Sequence, residues 1–294
     1  PAPSGGREGS GEDKKQAGSP KSVAHSSFVM FLGSLVSRFL GLVRSPILLG
    51  AIVGVTTPAA DAFAVANKLP NLIYMIIVGG LVNAVLVPSI VRATKESKDG
   101  GEAFLNKLLT LSIVSLGSVT FLLTLGAPLV AKVFASTMEG KWFTLTVAFA
   151  YWCLPQIFFY GMYTVLGQIL NARENFGPYM WAPVLNNVVS IVGFLGVLRV
   201  FGGAERGGVE EWDSTRVMLL GGVSTAGIAV QALVLVWPMR NLGIRYRPDF
   251  AWRGSGLGEA GKASWWMLLM MVSGMVPTML LSNVAAGARS RAEG

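Results

Sequence analysis

The sequence predicts an all-α, polytopic membrane helix bundle of about seven transmembrane helices. Of its 294 residues, 52% are hydrophobic and only 14% are charged, whereas soluble domains average about 25% charged residues. Apolar stretches long enough to cross a bilayer, about 20 residues each, recur between short polar turns. The net charge of +8 comes mainly from tails and loops. Membrane topology explains that distribution, and a nucleic-acid partner is not predicted.

The first apolar stretch, from Phe28 to Gly54, contains two arginines near its middle, Arg38 and Arg44. An arginine at the centre of a membrane helix costs on the order of 2.5 to 3.5 kcal/mol on insertion scales. We therefore expect both to face a polar cavity or a partner. The alternative is that both side chains snorkel to an interface. Pro46 is expected to bend the helix just beyond Arg44.

Small residues recur at every fourth position of this first helix, at Gly33, Ser37, Gly41 and Ser45. Residues four apart lie on one helix face. The spacing therefore predicts a thin stripe along which another helix or a ligand can approach closely.

The second apolar stretch covers residues 61–91. Asp61 is expected near the N-terminus of its helix, where a carboxylate either complements the helix macrodipole or serves the mechanism. Lys68 lies on the same face, about 10 Å further along, which is too far for direct pairing. Pro70 and the pair Gly79–Gly80 predict a kinked or broken helix, as is common in transporters.

Five further spans complete the bundle, at residues 108–131, 144–170, 180–201, 216–238 and 264–287. Within the fifth span, the adjacent Asn186 and Asn187 are expected to form interhelical hydrogen bonds. Residues 1–24 are rich in glycine, serine, proline and lysine, which is typical of a disordered tail.

Positively charged residues predict the orientation. With the N-terminus in the cytoplasm, ten lysines and arginines of the loops fall inside and five fall outside. The positive-inside rule therefore favours a multi-pass protein of the cell membrane with a cytoplasmic N-terminus and tail.

Catalytic signatures are absent from the sequence. The single histidine, His25, excludes most Ser/His/Asp triads, and Cys153 is the only cysteine, which excludes a disulfide and a multi-thiolate metal site. We expect neither an enzyme nor a cofactor, while a coupling ion or the membrane potential stays open as an energy source.

Four segments resemble the MviN/MurJ family of lipid II flippases, within the multidrug/oligosaccharidyl-lipid/polysaccharide exporter superfamily. They are SRFLGLVR at 37–44, DAFAVANKLPNLIY at 61–74, VGGLVNAVLVPSIVRA at 78–93 and LNARENFGPYMWAPVLNN at 170–187. They occur in the family's order and spacing. LPNLIYMIIVGG and WCLPQIFFYG resemble the actinobacterial branch.

The resemblance implies a 14-helix transporter with two lobes around a central cavity. Residues 25–250 would form the six-helix N-terminal lobe, and residues 251–294 would be a linker and the first helix of a truncated C-terminal lobe. The cargo would be lipid II, whose diphosphate and sugar headgroup binds in the cavity and crosses from the cytoplasmic to the outer leaflet. The resemblance also implies membrane lipids as partners and makes proteins of peptidoglycan synthesis possible ones. The site residues that match the family are Arg38, Arg44, Ser37, Asp61, Lys68 and Asn71.

The sequence departs from the family at several charged positions. Tyr74 and Met75 replace a common arginine pair, Gly79 replaces a glutamate and Ser45 replaces an acidic residue. A mechanism based on the family's network of charged residues therefore cannot be assigned to this chain in full. Two alternatives stay open: a flippase of the same superfamily for another polyprenyl-linked saccharide, and a non-transporting membrane scaffold for cell-wall enzymes.

Overall fold

The computed structural model of the chain describes residues 20–55, 57–81, 87–96, 101–134, 138–203, 208–251 and residue 273. All regular structure in these residues is helical. The helices are α1 (Pro20–Leu42), a π-helical segment (Val43–Leu49), α2 (Gly50–Val53), α3 (Pro58–Leu81), α4 (Val87–Glu96), α5 (Glu102–Leu125), α6 (Ala127–Phe134), α7 (Gly140–Cys153), α8 (Gln156–Ala172), α9 (Gly177–Phe201), a 3-10 turn (Val209–Glu211), α10 (Ser214–Leu233) and α11 (Val236–Asn241).

Five helical stretches of the described chain are long and apolar enough to cross a membrane. They are Ser27–Val53, Glu102–Leu125, Gly140–Ala172, Gly177–Phe201 and Ser214–Asn241. They correspond to the first, third, fourth, fifth and sixth predicted spans, so the chain is an all-α polytopic membrane protein. The second predicted span is represented by α3, which ends at Leu81. The seventh, 264–287, lies outside the described residues except for Ser273.

Prolines account for the interruptions within these spans. Helices α7 and α8 meet at Leu154–Pro155, and α10 and α11 meet two residues before Trp237–Pro238. A proline lacks the backbone N–H that would continue the helix and crowds the preceding turn. Pro46 lies inside a π-helical segment, Val43–Leu49, and the bend expected beyond Arg44 stays a prediction.

The described helices bear on two expectations about local structure. Helix α1 begins at Pro20, inside the segment that was expected to be disordered to residue 24. Helix α3 runs through Pro70 and Gly79–Gly80 to Leu81, so it is not broken there, and the alternative, a kink, stays a prediction.

Helices α9 and α10 pack along their lengths, and α1 packs chiefly on α9. Close approach of α9 and α10 depends on glycine. A Cβ at Gly227 would lie 2.4 Å from the Asn186 side-chain oxygen, and one at Gly193 would lie 2.3 Å from Val223. Much of the other surface of α1 is exposed, including Phe31, Leu35 and Phe39. The arginine-bearing helix therefore lies at the edge of the described bundle.

The buried apolar residues form two clusters, one toward each end of the helices. One cluster includes Phe63, Leu154 and Leu220, and the other includes Leu105 and Leu170. Between them, near the middle of the spans, lies a set of buried polar side chains, which we call the polar belt: Gln156, Asn186, Asn187, Ser190, Ser224 and Gln231. A part of the buried polar side chains therefore lies near mid-depth, and the others, such as Asn106 and Thr146, lie closer to the helix ends.

Candidate functional site at the first helix and the polar belt

Arg44 lies in the π-helical segment, where its side chain is half-buried. Its charge interacts with the hydroxyl group of Tyr160 on α8. The ring of Tyr160 packs on that of Tyr74, with ring centroids 5.6 Å apart, and the Tyr74 hydroxyl is hydrogen bonded to Thr164. Arg44 is therefore close enough to the hydroxyl-bearing residue Tyr160 for the two side chains to interact electrostatically.

Arg38 is six residues before Arg44 and is exposed on α1. Within the described residues it forms no ion pair. Its neighbours Phe39 and Leu42 are large exposed apolar side chains. The expectation that Arg38 shares a solvated cavity lining with Arg44 stays a prediction.

Ser37 joins α1 to α9. The Asn187 side-chain amide donates to the Ser37 carbonyl oxygen at 2.8 Å and to its hydroxyl oxygen at 3.1 Å. At Gly33, a Cβ would lie 3.0 Å from the indole nitrogen of Trp181, whereas a Cβ at Gly41 would meet nothing within 4 Å. Helix α9 therefore occupies the first half of the predicted small-residue stripe, and there is open space at Gly41.

Both adjacent amides form interhelical hydrogen bonds, as the sequence predicted. The Asn186 side chain donates to the Gln231 side-chain oxygen on α10 at 2.8 Å, and Asn187 reaches α1 as described. The two neighbours thus fix α9 against different helices.

Asp61, Lys68 and Asn71 lie along one exposed face of α3. Asp61 does not cap the helix, because the Thr57 hydroxyl accepts the hydrogen bond from the Ala60 backbone N–H at 3.1 Å. Among the described residues neither Asp61 nor Lys68 forms an ion pair, in agreement with their spacing. The structure gathers these three side chains on one face but does not join them to Arg38 or Arg44 by a hydrogen bond or ion pair in the described chain.

Gln156 is a polar-belt residue that the sequence reasoning missed. It is the central residue of the span Gly140–Ala172 and is fully buried. Its amide nitrogen donates to the side-chain oxygens of Asn67 at 3.0 Å and Thr225 at 3.1 Å, so it links α8 to α3 and α10. Its own side-chain oxygen has no hydrogen-bond partner in the described chain. The only sequence signal was a glutamine directly after Pro155 in an apolar run.

Three cavities of about 420, 670 and 450 Å³ lie elsewhere in the described chain. None of them is lined by a predicted site residue. Of the predicted site residues, Ser37 and Arg44 are half-buried, and the others are exposed along α1 and α3: Arg38, Asp61, Lys68 and Asn71.

The sequence profile of the family described as "Lipid II flippase MurJ" matches residues 49–290, which is most of the chain. The chain belongs to the MurJ family.

Two similar MurJ proteins are "Probable lipid II flippase MurJ" of Haemophilus influenzae and the protein of the same description from Synechocystis. The first is 25% identical over 245 residues, 78% of this chain and 44% of the relative. The second is 26% identical over 241 residues, 80% of this chain and 44% of the relative. The chain therefore spans less than half the length of these MurJ proteins.

A solved structure described as "Lipid II flippase MurJ, inward closed conformation" has a similar fold. The TM-score is 0.63 at 17% sequence identity, over 85% of this chain and 49% of the solved chain. At that identity the likeness concerns the fold alone. The described helices follow the arrangement of about half of a MurJ fold.

Proposed function

We propose that this chain forms the N-terminal part of a flippase that moves lipid II from the cytoplasmic to the outer leaflet. Residues 25–250 would be its first lobe, and residues 251–294 the linker and first helix of the second lobe. We further propose that it belongs to the actinobacterial branch, on the segments LPNLIYMIIVGG and WCLPQIFFYG.

The observation that carries the proposal is the position of Arg44, a half-buried guanidinium beside Tyr160. Tyr160 lies four residues after Gln156, the centre of its span. A diphosphate carries two or more negative charges, and a guanidinium fork matches phosphate oxygens bidentately. Transporters bind their cargo near the bilayer midplane, between repeats that rock against each other. The guanidinium of Arg44 is therefore suited to a lipid-linked diphosphate.

Arg38 and the α3 face of Asp61, Lys68 and Asn71 complete the proposed site. All four side chains are exposed in the described bundle, and charged groups at membrane depth normally face a water-filled cavity or a partner. We infer that a second lobe closes this surface into a cavity. Alternating access would then open the cavity to either leaflet in turn. The shared diphosphate chemistry keeps another polyprenyl-linked saccharide as the alternative cargo.

The proposal also includes an orientation with a cytoplasmic N-terminus. It is supported by the excess of lysine and arginine between the spans on that side, which includes Arg92 in α4 and Arg240 near the end of α11.

Translocation of labelled lipid II in proteoliposomes tests the proposed function. The 294-residue chain alone should not translocate lipid II, since Arg38 would face hydrocarbon where the second lobe should be. The chain supplied together with the C-terminal part of a MurJ relative should translocate it. In that pair Arg44→Gln should abolish translocation, and Lys132→Gln, a change at an exposed lysine of α6, should leave it intact. Translocation that is unaffected by Arg44→Gln, or robust translocation by the chain alone, would overturn the proposal.

A further inference from the structure

A groove of about 670 Å³ lies on α8, between α5 on one side and the α10–α11 span on the other. Its walls are apolar, with Ile113 from α5, Phe158 and Leu166 from α8 and Val236 from α11. Leu233, which also lines it, is 59% exposed. The groove is therefore open to the surroundings of the bundle, and those surroundings are lipid at this depth.

Two arginines line one end of the groove, Arg240 and Arg245. Arg240 is the second-last residue of the 28-residue span Ser214–Asn241. At about 1.5 Å per residue such a span is roughly 42 Å long, which matches a bilayer of about 40 to 45 Å including its headgroup regions. Arg240 therefore lies at headgroup level, and the apolar part of the groove extends from there into the hydrocarbon region.

The segment that carries Arg245 is fixed to the first turns of α5. The Arg247 backbone N–H donates to the Asn106 side-chain oxygen at 3.0 Å, and the Asp249 backbone N–H donates to the Thr110 hydroxyl oxygen at 3.0 Å. The Tyr246 hydroxyl, at the groove mouth, is 3.2 Å from the same Thr110 oxygen. The backbone beside Arg245 is thus held in place next to the mouth.

Neither guanidinium is neutralised by a carboxylate in the described chain. The ion pairs there are Lys141–Glu210 and Arg216–Glu211, and both lie at the start of α7 and α10, away from this mouth. The nearby Asp249 carboxylate accepts a hydrogen bond from the Ala251 backbone N–H. The groove therefore combines an apolar channel with two unpaired positive charges.

We propose that this groove is a binding site for an anionic phospholipid. One acyl chain lies along the channel between α5 and α8, and the phosphate lies between the guanidiniums of Arg240 and Arg245. An anionic phospholipid fits both the positive charge of the two arginines and their depth in the membrane. A guanidinium fork binds phosphate oxygens in a bidentate, charge-assisted manner, and an acyl chain enters an apolar channel without leaving polar groups unsatisfied. A peptide in the same channel would bury backbone N–H groups without partners. The site lies on α8 away from Arg44, and the inference does not rest on the proposed transport function.

Native mass spectrometry of the 294-residue chain, released from micelles containing equal amounts of phosphatidylglycerol and phosphatidylcholine, tests the proposal. The wild type should retain phosphatidylglycerol in preference to phosphatidylcholine. Arg240→Gln combined with Arg245→Gln should weaken phosphatidylglycerol retention about tenfold or more, since each arginine near an anionic lipid contributes about 1 kcal/mol. Both arginines are exposed, so the substitutions leave the core intact.

Two further variants distinguish the contribution of the arginine charges from that of the apolar groove. Arg92→Gln combined with Arg199→Gln removes the same charge from exposed arginines outside the groove and should change nothing. Ile113→Trp, which fills the channel, should reduce retention of both lipids. Equal retention of the two lipids by the wild type would overturn the proposal. So would equal losses in the two double variants, or a wild type that retains neither lipid because protein covers the groove.

Discussion

Asn187→Ala should release the arginine-bearing helix α1 from the bundle. Asn187 is 6% exposed, and its amide donates at 2.8 and 3.1 Å to two oxygens of Ser37. Interhelical hydrogen bonds in membranes are worth about 0.6 kcal/mol on average and up to about 1.7. The two contacts together are therefore worth about 1 to 3 kcal/mol. Because α1 packs chiefly on α9, this loss falls on the main contact of α1.

A loss of about 1.4 kcal/mol raises the population of displaced α1 about tenfold. Spin labels on cysteines at Leu35 in α1 and Val192 in α9, both exposed, measure the distance between the helices in nanodiscs. The native Cys153 is buried and should not react with the label. The distance distribution should be narrow in the parent and should gain a longer component with Asn187→Ala.

Asn186→Ala is the matched control, because the neighbouring amide bonds Gln231 on α10 instead. It should leave the α1–α9 distance unchanged. It should also lower the thermal stability, since an unpaired buried Gln231 costs about 1 to 3 kcal/mol. If both variants broaden the distance distribution equally, or if Asn187→Ala leaves it unchanged, the assignment of Asn187 as the tie between α1 and α9 is refuted.

Two other predictions concern packing and topology. Gly227→Ala should destabilise the chain by about 1 to 3 kcal/mol through overpacking, because its Cβ would lie 2.4 Å from the Asn186 side-chain oxygen. Gly196→Ala should leave the stability unchanged, because its Cβ would meet nothing within 4 Å. Equal melting temperatures of the two variants in detergent would contradict this prediction. An impermeant thiol reagent added outside intact cells should label a cysteine placed at Ser214 and spare one placed at Glu102, both exposed positions. The reverse labelling pattern would overturn the assignment of the N-terminus to the cytoplasm.

Sequence reasoning predicted the membrane helices well, because an apolar run of spanning length rarely forms anything but a transmembrane helix. It singled out Pro46 as a point of disturbance, since a missing backbone N–H acts locally, and Pro46 lies in the π-helical segment. It did not predict that α3 continues through Pro70. Whether a helix continues past a proline depends on how neighbouring helices satisfy the backbone groups that the proline leaves without partners. A single sequence does not show which helices are neighbours.

The hydrogen-bond partners of the polar residues could not be predicted from the sequence, for a related reason. Helical periodicity indicates which face a residue occupies, but not which helix it meets. The amide pair at 186–187 was expected to bond between helices, yet the separate partners, Ser37 and Gln231, follow only from the packing of α9 against α1 and α10. The neighbourhood of Arg44 and Tyr160 likewise joins residues more than a hundred positions apart.

The affinity of the purified 294-residue chain for lipid II in nanodiscs tests the central claim most directly. Arg44→Gln should weaken binding more than tenfold, because hydrogen bonds to charged groups contribute about 1.5 to 3 kcal/mol. Arg199→Gln, at an exposed position near the end of α9, should leave the affinity unchanged. Equal affinities of the wild type and both variants would contradict a diphosphate site at Arg44.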